Sequence, residues 1–406
     1  MRNELSVRGI IMSKKKILNS SINAALVVGS MVLPQSSLAD TLSNAFNSGR
    51  ADLDMRARYE TVDDGNPATL DADAYTLRTR LGFTSGNYYS FKAHADFEVI
   101  NTGGDFNSGT NGHTDYAKVV DPKGEELNQA WLSYDGIDST NFKLGRQRLI
   151  LDNARFVGNV GWRQNEQTFD AFKISNKSFD DVEITLAHIS QINTITGGST
   201  DTAHNLFNAG FDKTPIGKIT AYAYLLDVDQ STADTDTYGL RLKGKQSSFL
   251  YALEFAQQSD GGDNPADLSA SYMFTELGYK LDTTKLFVGY ESLGSDDGNS
   301  AFQTPLATKH AFNGWADKFL ATPANGLNDA YVKVVSKVAG LKLVGVYHDF
   351  TSDEGSSDYG TELDLVLVKP FNKTVKGIVK YADYKADSFS TDTKKIWLSL
   401  EAKFKQ

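Results

Sequence analysis

Four arginines in one segment offer the clearest chemistry in this sequence, and that chemistry is the binding of anions. Residues 141–175 read NFKLGRQRLILDNARFVGNVGWRQNEQTFDAFKIS. Arg146, Arg148, Arg155 and Arg163 lie there, opposed only by Asp152 and Glu166 before the second apolar run begins. The whole chain has a net charge of −10, so a basic insert needs a reason. A guanidinium presents a planar fork of donors that matches both oxygens of a carboxylate. Four further basic residues belong with these: Arg56, Arg78 and Arg80 on one side of alternating segments, and Lys92 beyond them. Two readings follow. The basic segment folds inward and lines a pore for anions, or its arginines tie a loop to the wall beside it. Asp54, Glu60, Asp96 and Glu98 would then neutralise the row as an internal network.

Catalysis finds no support. The chain has neither a G-x-S-x-G nor an H-E-x-x-H pattern. Its six histidines (94, 113, 188, 204, 310 and 348) are scattered, and it has no cysteine. No enzyme, metal site or cofactor is expected. Carboxylate pairs such as Asp63-Asp64 and Asp296-Asp297 read as solvated loop residues.

The elements that must position the arginines are strands. From Leu53 to Phe404 the chain alternates apolar and polar residues in segments of roughly ten. Leu53, Met55, Ala57 and Tyr59 oppose Asp54, Arg56, Arg58 and Glu60. Tyr75, Leu77, Leu81 and Phe83 oppose Arg78 and Arg80. Tyr89, Phe91, Ala93, Ala95, Phe97 and Val99 oppose Lys92, His94, Asp96 and Glu98. At the other end Ile396, Leu398, Leu400, Ala402 and Phe404 alternate with Trp397, Ser399, Glu401 and Lys403. Eighteen such segments can be placed, with sixteen as the lower alternative. Short turns are expected near 86, 136, 178, 215, 246, 282, 338 and 371, and nine longer loops alternate with them. Short turns on one side and long loops on the other, with an even strand number, characterise a transmembrane barrel. The predicted fold is all-β: one antiparallel barrel with short periplasmic turns and long extracellular loops. No run of apolar residues is long enough for a mature membrane-spanning helix. Mean hydropathy is −0.36, which suits strands whose alternate residues meet lipid.

The N-terminus reads as an export signal. Lys14, Lys15 and Lys16 precede an apolar stretch from Ile22 to Leu33, and Ser37-Leu38-Ala39 resembles a cleavage site. Residues 1–39 are assigned to this signal, with Met12 the alternative start, and 40–406 to the barrel. Without 1–39 the net charge becomes −14, which excludes nucleic acid as a partner.

Lipid decides the facing. An arginine facing lipid at the bilayer midplane costs about 2–4 kcal/mol, so Arg78 and Arg80 point to the lumen. Tyr59, Tyr75, Phe83, Tyr89, Tyr290 and Tyr381 are candidates for aromatic girdles. A regular hairpin through Gly86 sets Arg80 across from Lys92 and Arg78 across from His94, with Arg56 beside Arg78. A second long loop, 293–328, carries Phe302, Phe312, Trp315, Phe319 and Leu320. It is expected to cap the mouth, to stack a sugar, or to pack on itself.

The segments LNQAWLSYDG (127–136), LGRQRLILDNARFVGNVGWRQNEQTFDAF (144–172) and FNGWADKFLATPANGLND (312–329) resemble the alginate-export family of outer-membrane porins. That resemblance implies an eighteen-stranded barrel. It also implies that Arg146, Arg148, Arg155 and Arg163 belong to a constriction passed by an anionic uronate polymer. The expected function is a passive channel for small anionic solutes, such as uronates or oligosaccharides. An alginate-type polymer exporter and an occluded structural or adhesive barrel are the alternatives. Expected partners are outer-membrane lipid, lipopolysaccharide and the barrel-assembly machinery, and the expected state is a monomer.

Overall fold

The computed structural model describes residues 35–229, 231, 233–262 and 264–406. The basic and apolar parts of the expected signal lie outside the described residues. The expected cleavage residues 37–39 fall within helix α1 (Gln35–Asn47). Contacts divide the chain into residues 1–44 and 45–406, and the second unit holds the whole sheet.

Among the described residues eighteen antiparallel strands form one closed ring. The first nine are β1 (Arg50–Asp63), β2 (Ala72–Thr84), β3 (Phe91–Asp105), β4 (Gly124–Ile137), β5 (Thr140–Gln147), β6 (Thr168–Asn176), β7 (Val182–Asn193), β8 (Ser199–Thr214) and β9 (Gly217–Leu226). The second nine are β10 (Thr235–Gln246), β11 (Phe249–Asp260), β12 (Ser269–Lys280), β13 (Thr284–Leu293), β14 (Leu327–Val338), β15 (Leu341–Thr351), β16 (Asp358–Pro370), β17 (Val375–Ala386) and β18 (Thr393–Lys405). Each pairs with its sequence neighbours, and β18 closes on β1 from Asp52↔Lys405 to Asp63↔Lys394. Closure leaves no unpaired edge, the condition for a sheet surrounded by lipid. Eight short connections fall near the expected turns, although those expected at Gly86 and Gly136 reverse two to three residues later, and nine further connections occupy the opposite end.

Period-2 patterning sets the facing. In β2, Tyr75, Leu77 and Leu81 point outward while Arg78 and Arg80 are buried inside. Of the girdle candidates, Tyr75, Tyr89 and Tyr290 are exposed, and Tyr59 packs on Tyr75 at 4.9 Å. Phe83 instead packs on Phe46 at 4.9 Å.

The register of the β2–β3 hairpin differs from the regular one. Arg80 lies across from Glu98 and Arg78 from Ile100, while His94 lies across from Thr84. The chain reverses at Tyr88–Phe91, not at Gly86. Tyr88 and Phe91 exchange backbone hydrogen bonds at 2.9 Å, and Tyr89 and Ser90 both have positive φ (49° and 68°). That is a two-residue turn whose twist matches the strands. It is made without the Asn-Gly or Gly-Gly pair that usually announces it. Tyr89 therefore sits in the turn, and Lys92 moves toward the turn end of its strand.

The barrel is not an empty polar tube. Two long loops, 148–167 and 294–326, enter its lumen. They bury Leu149, Val157, Phe302, Leu306 and Phe319 against inward-facing Tyr222, Tyr272, Phe350, Tyr384 and Trp397. Inward apolar residues thus break the polar-in pattern at one end of several strands. A smaller cluster packs loop 106–123, through Phe106, Ala117 and Val119, on Val62, Ala72 and Ala74.

Candidate functional site

Alternation places Arg56 and Arg58 on the inner face of β1 and Arg78 and Arg80 on that of β2, with Arg56 directly opposite Arg78. Like charges in that position repel across a sheet. Here the repulsion is offset by what the guanidiniums hold. Arg56 donates to the carbonyls of Gly161, Trp162 and Arg163 at 3.0–3.2 Å, and its Nε faces Glu401 at 3.1 Å. Arg58 donates to the Trp162 carbonyl at 2.8 Å and stacks over its ring at 4.1 Å. Arg78 donates to the Gln164 carbonyl at 3.2 Å and pairs with Asp54 at 2.5 Å. Arg80 pairs with Glu98, and with Glu166 at 3.1 Å. The arginine wall is therefore a clamp on the carbonyl side of loop 148–167.

The loop's own arginines reach outward from it. Arg163, fully inside, contacts Glu60 at 3.3 Å and Asp317 at 3.1 Å. Burial alone would lower its pKa, but Glu60, Asp121 and Asp317 raise it above the ordinary value. Arg155 reaches β13, pairing with Glu291 at 2.7 Å, and donates to Asn313 at 2.9 Å. Arg148 donates to Glu166 through Nε at 2.6 Å and stays about one-third exposed. Burial would raise the Glu166 carboxyl, yet Arg80 and Arg148 hold it below its ordinary value.

Loop 294–326 docks on carboxylates. The amides of Trp315 and Ala316 donate to Asp364 (3.1 Å) and Glu362 (2.6 Å) on β16. Asn313 donates to Glu291 (2.6 Å) and Asp329 (3.1 Å), and Asp329 is also bound to His348 at 2.8 Å. Gly314 sits between these contacts with φ of 83°, and a Cβ there would lie 2.3 Å from Glu362 Oε2. Of the expected mouth residues, Phe319 packs on Phe350 (4.6 Å) and Phe389 (5.2 Å), and Phe312 lies under Arg155 (4.8 Å). The loop lies within the barrel and packs on its wall.

The two loops meet at a lysine cage. The Lys380 ammonium, from β17, lies over the rings of Trp315 (3.7 Å), Trp162 (4.2 Å) and Trp397 (5.3 Å). It contacts His310 Nε2 at 2.6 Å, and His310 Nδ1 contacts Asp317 at 2.6 Å. The lysine can only donate, so Nε2 accepts and Nδ1–H donates to Asp317. Burial, with Lys380 adding to it, pushes His310 down to about 3. Burial would raise Asp317, but His310, Lys395 and Arg163 hold it well below its ordinary range. Three of the chain's four tryptophans are used here. The sequence offered no signal for this cluster, because its members come from segments far apart and share no motif.

Two cavities open on the short-turn side of loop 148–167. The larger, about 530 Å³, is lined by Arg56, Arg78, Arg80 and Arg148 with Lys143, His94 and Trp131, and it runs to Arg50 and Lys405 at the barrel rim. Eight basic side chains and four carboxylates line it, an excess of positive charge. The smaller, about 410 Å³, shares Arg148 and adds Lys173, Lys218, Asp152 and Glu183.

The predicted constriction thus divides. Arg56, Arg78, Arg80 and Arg148 converge on the larger cavity. Arg155 and Arg163 are buried in loop contacts. Lys92 stands apart, paired with Asp135 at 3.7 Å near the turns. Arg146 shares the outward face of β5 with Phe142 and Leu144, and pairs with Asp170 directly opposite at 2.8 Å. It faces outward because it stands three positions, an odd offset, from the inward-facing Lys143, and the pair stays partly exposed.

The family described as alginate export matches residues 50–299. No curated protein matches the chain. Among solved structures, the outer-membrane protein OpdK of Pseudomonas aeruginosa is 14% identical, with a TM-score of 0.67. OccK9 (OpdG) of the same organism is 13% identical with a TM-score of 0.70, and OccAB4 of Acinetobacter baumannii 14% with 0.69. Each alignment covers 89% of this chain and 100% of the other. At such identity the likeness establishes the fold. With a closed eighteen-stranded ring and a match to more than half of its length, the chain belongs to the alginate-export family, as an outer-membrane porin and not an enzyme.

Proposed function

We propose that this porin passes small anionic solutes, with uronates and acidic oligosaccharides as the substrate class, by passive diffusion. The observation that carries the reading is the basic excess lining the larger cavity, in a chain whose overall charge is −10. A low-dielectric wall of one sign focuses its field and concentrates counter-ions. Arg56, Arg78, Arg80 and Arg148 act as the pore-lining residues, with Arg155 and Arg163 holding the loop that narrows the path. Two loops folded into the lumen favour a small solute over a polymer. Transport is by a monomer in outer-membrane lipid and lipopolysaccharide, inserted by the barrel-assembly machinery. Residues 1–39 are proposed as a cleaved export signal, which intact mass of the mature protein tests.

The test of the transport reading is the reversal potential in a planar bilayer under a potassium chloride gradient. A potential of the sign for chloride preference is expected, and it should shrink as salt rises and screens the wall. Preference for potassium would overturn the anion reading while leaving a porin. Absence of conductance would favour an occluded structural barrel.

A further inference from the structure

The arginines that mark the lumen in the sequence are largely spent on holding a loop. Every carboxylate lining the two cavities is engaged as well. In the larger, Asp52 pairs with Arg50 at 3.2 Å, Asp54 holds Arg78, Asp96 accepts from Gln129, and Glu166 from Asn159. In the smaller, Asp152 accepts from Asn208 at 2.8 Å, and Glu183 pairs with Lys177 at 3.3 Å. Two half-buried cations of the same wall differ. Lys143 of β5 lines the larger cavity, Lys173 of β6 the smaller, and they lie directly opposite each other in the sheet. Among the described residues neither forms an ion pair. Lys143 is held over the ring of Trp131 at 4.1 Å, on which His94 also stacks at 5.1 Å. Arg148 lines both cavities beside them. The nearby acids that could compensate are committed: Asp135 to Lys92 and Asn141, and Glu183 to Lys177.

Like charges directly opposite destabilise a sheet, and a half-buried charge without a partner costs more than a solvated one. A lumen that keeps such a pair is arranged for an anion to complete it. We propose that Lys143 and Lys173, with the exposed part of Arg148, form a binding station for a small carboxylate where the two cavities adjoin. The ligand is a carboxylate on a small body, with a single sugar acid as its simplest member, because cavities of about 530 and 410 Å³ have the size of small-molecule sites. The carboxylate replaces the missing counter-ion, and Trp131 fixes the Lys143 ammonium by its π face so that its remaining donors are presented to the cavity. This inference rests on the anionic reading above but goes beyond it, since it assigns recognition to two lysines and not to the arginine wall.

The experiment is single-channel recording in potassium chloride with sodium glucuronate added, against glucose as the neutral control. Wild type should show glucuronate-dependent current interruptions and none with glucose. Lys143→Gln/Lys173→Gln should shorten their dwell time about tenfold or more, as expected for losing charge-assisted hydrogen bonds. Lys143→Arg/Lys173→Arg should retain them, and it serves as the folded comparison if the glutamine variant does not insert. Equal interruptions in the glutamine and wild-type channels, in a channel that still prefers chloride, would overturn the lysine station alone. Interruptions by glucose as strong as those by glucuronate would overturn its carboxylate specificity. A wild-type channel that prefers potassium and ignores glucuronate would remove the anionic reading and the station together.

Discussion

The two loops inside the barrel are gripped in opposite electrical senses. On the arc of β1 and β2, guanidiniums hold the carbonyls of residues 161–164. On the arc of β13 to β16, carboxylates hold the amides of Trp315 and Ala316 and the side chain of Asn313. A loop without secondary structure carries unpaired donors and acceptors, and burying it requires partners for them. This barrel supplies acceptors' partners from one wall and donors' partners from the other. Charge in a porin lumen is therefore not the same as charge available to a solute. The arginine wall is densely basic but committed, whereas the acidic wall is fully covered by the loop it holds.

The comparison breaks most sharply at Arg163, the residue that joins the two sides. Arg163→Leu leaves the buried Glu60 without its cation and takes one of the cations from Asp121 and Asp317, which keep Arg58 and Lys395. Breaking a buried ion pair by removing one partner costs about 3–5 kcal/mol. The ring of strands should survive, so the loss appears as local opening of loop 148–167. Hydrogen exchange at the Gly158 amide, which donates to Leu306 at 2.9 Å, should quicken by about two to three orders of magnitude. Unchanged exchange would mean that the loop is held by the strand arginines alone.

The acidic side is probed at Gly314. Gly314→Ala meets both a positive φ and the Glu362 carboxylate. A non-glycine residue held in a sparsely populated backbone region costs about 1–3 kcal/mol. The expected result is selective exposure of loop 294–326 to protease, with loop 148–167 still protected. Simultaneous exposure of both loops would show that the two grips act as one unit.

The lysine cage joins the two grips, and acid should loosen it. His310 is neutral in the fold, with its pKa depressed from 6.5 to about 3. Its contribution to stability is complete above the unfolded value and falls away as pH drops from about 6.5 toward 3, because the open form then binds a proton that the closed form refuses. Asp317 acts in the same sense at lower pH, since its depressed carboxyl stabilises the fold only while ionised. Tryptophan fluorescence, dominated by the caged Trp162, Trp315 and Trp397, should change over that window. His310→Gln should flatten the upper part of the change. A titration identical in both proteins would remove His310 from the latch.

These contrasts also explain what the sequence could reveal. Strand number, turn positions and facing follow from a period of two, which is local information, and β1, β2 and β18 display it along their length. The Tyr88–Phe91 reversal was hidden because its left-handed positions hold Tyr89 and Ser90, while Ser85-Gly86-Asn87 nearby looks like a turn. The destination of the arginines was hidden for another reason. Arg56 meets Arg163 across 107 residues, and no local pattern encodes that meeting. Arg146 was different: its parity with Phe142 and Leu144 already placed it outward, but clustering with other arginines in the sequence concealed this.

Lys92 supplies the smallest effect and the control for the rest. It has the same charge as the lumen cations and lies on β3 with His94 and Asp96 on its face. Yet its ammonium sits 3.7 Å from Asp135 with both side chains more than 40% exposed. Solvent screens such a pair, whose worth is about 0.2–1 kcal/mol. Lys92→Ala should leave loop protection unaltered and shift the reversal potential less than replacement of Lys143 does, although each substitution removes one positive charge. If Lys92→Ala moved selectivity as far as Lys143→Ala, the long-range sum of charge would govern permeation. The distinction between committed and uncommitted cations would then lose its role in solute choice and keep only its role in holding the loops.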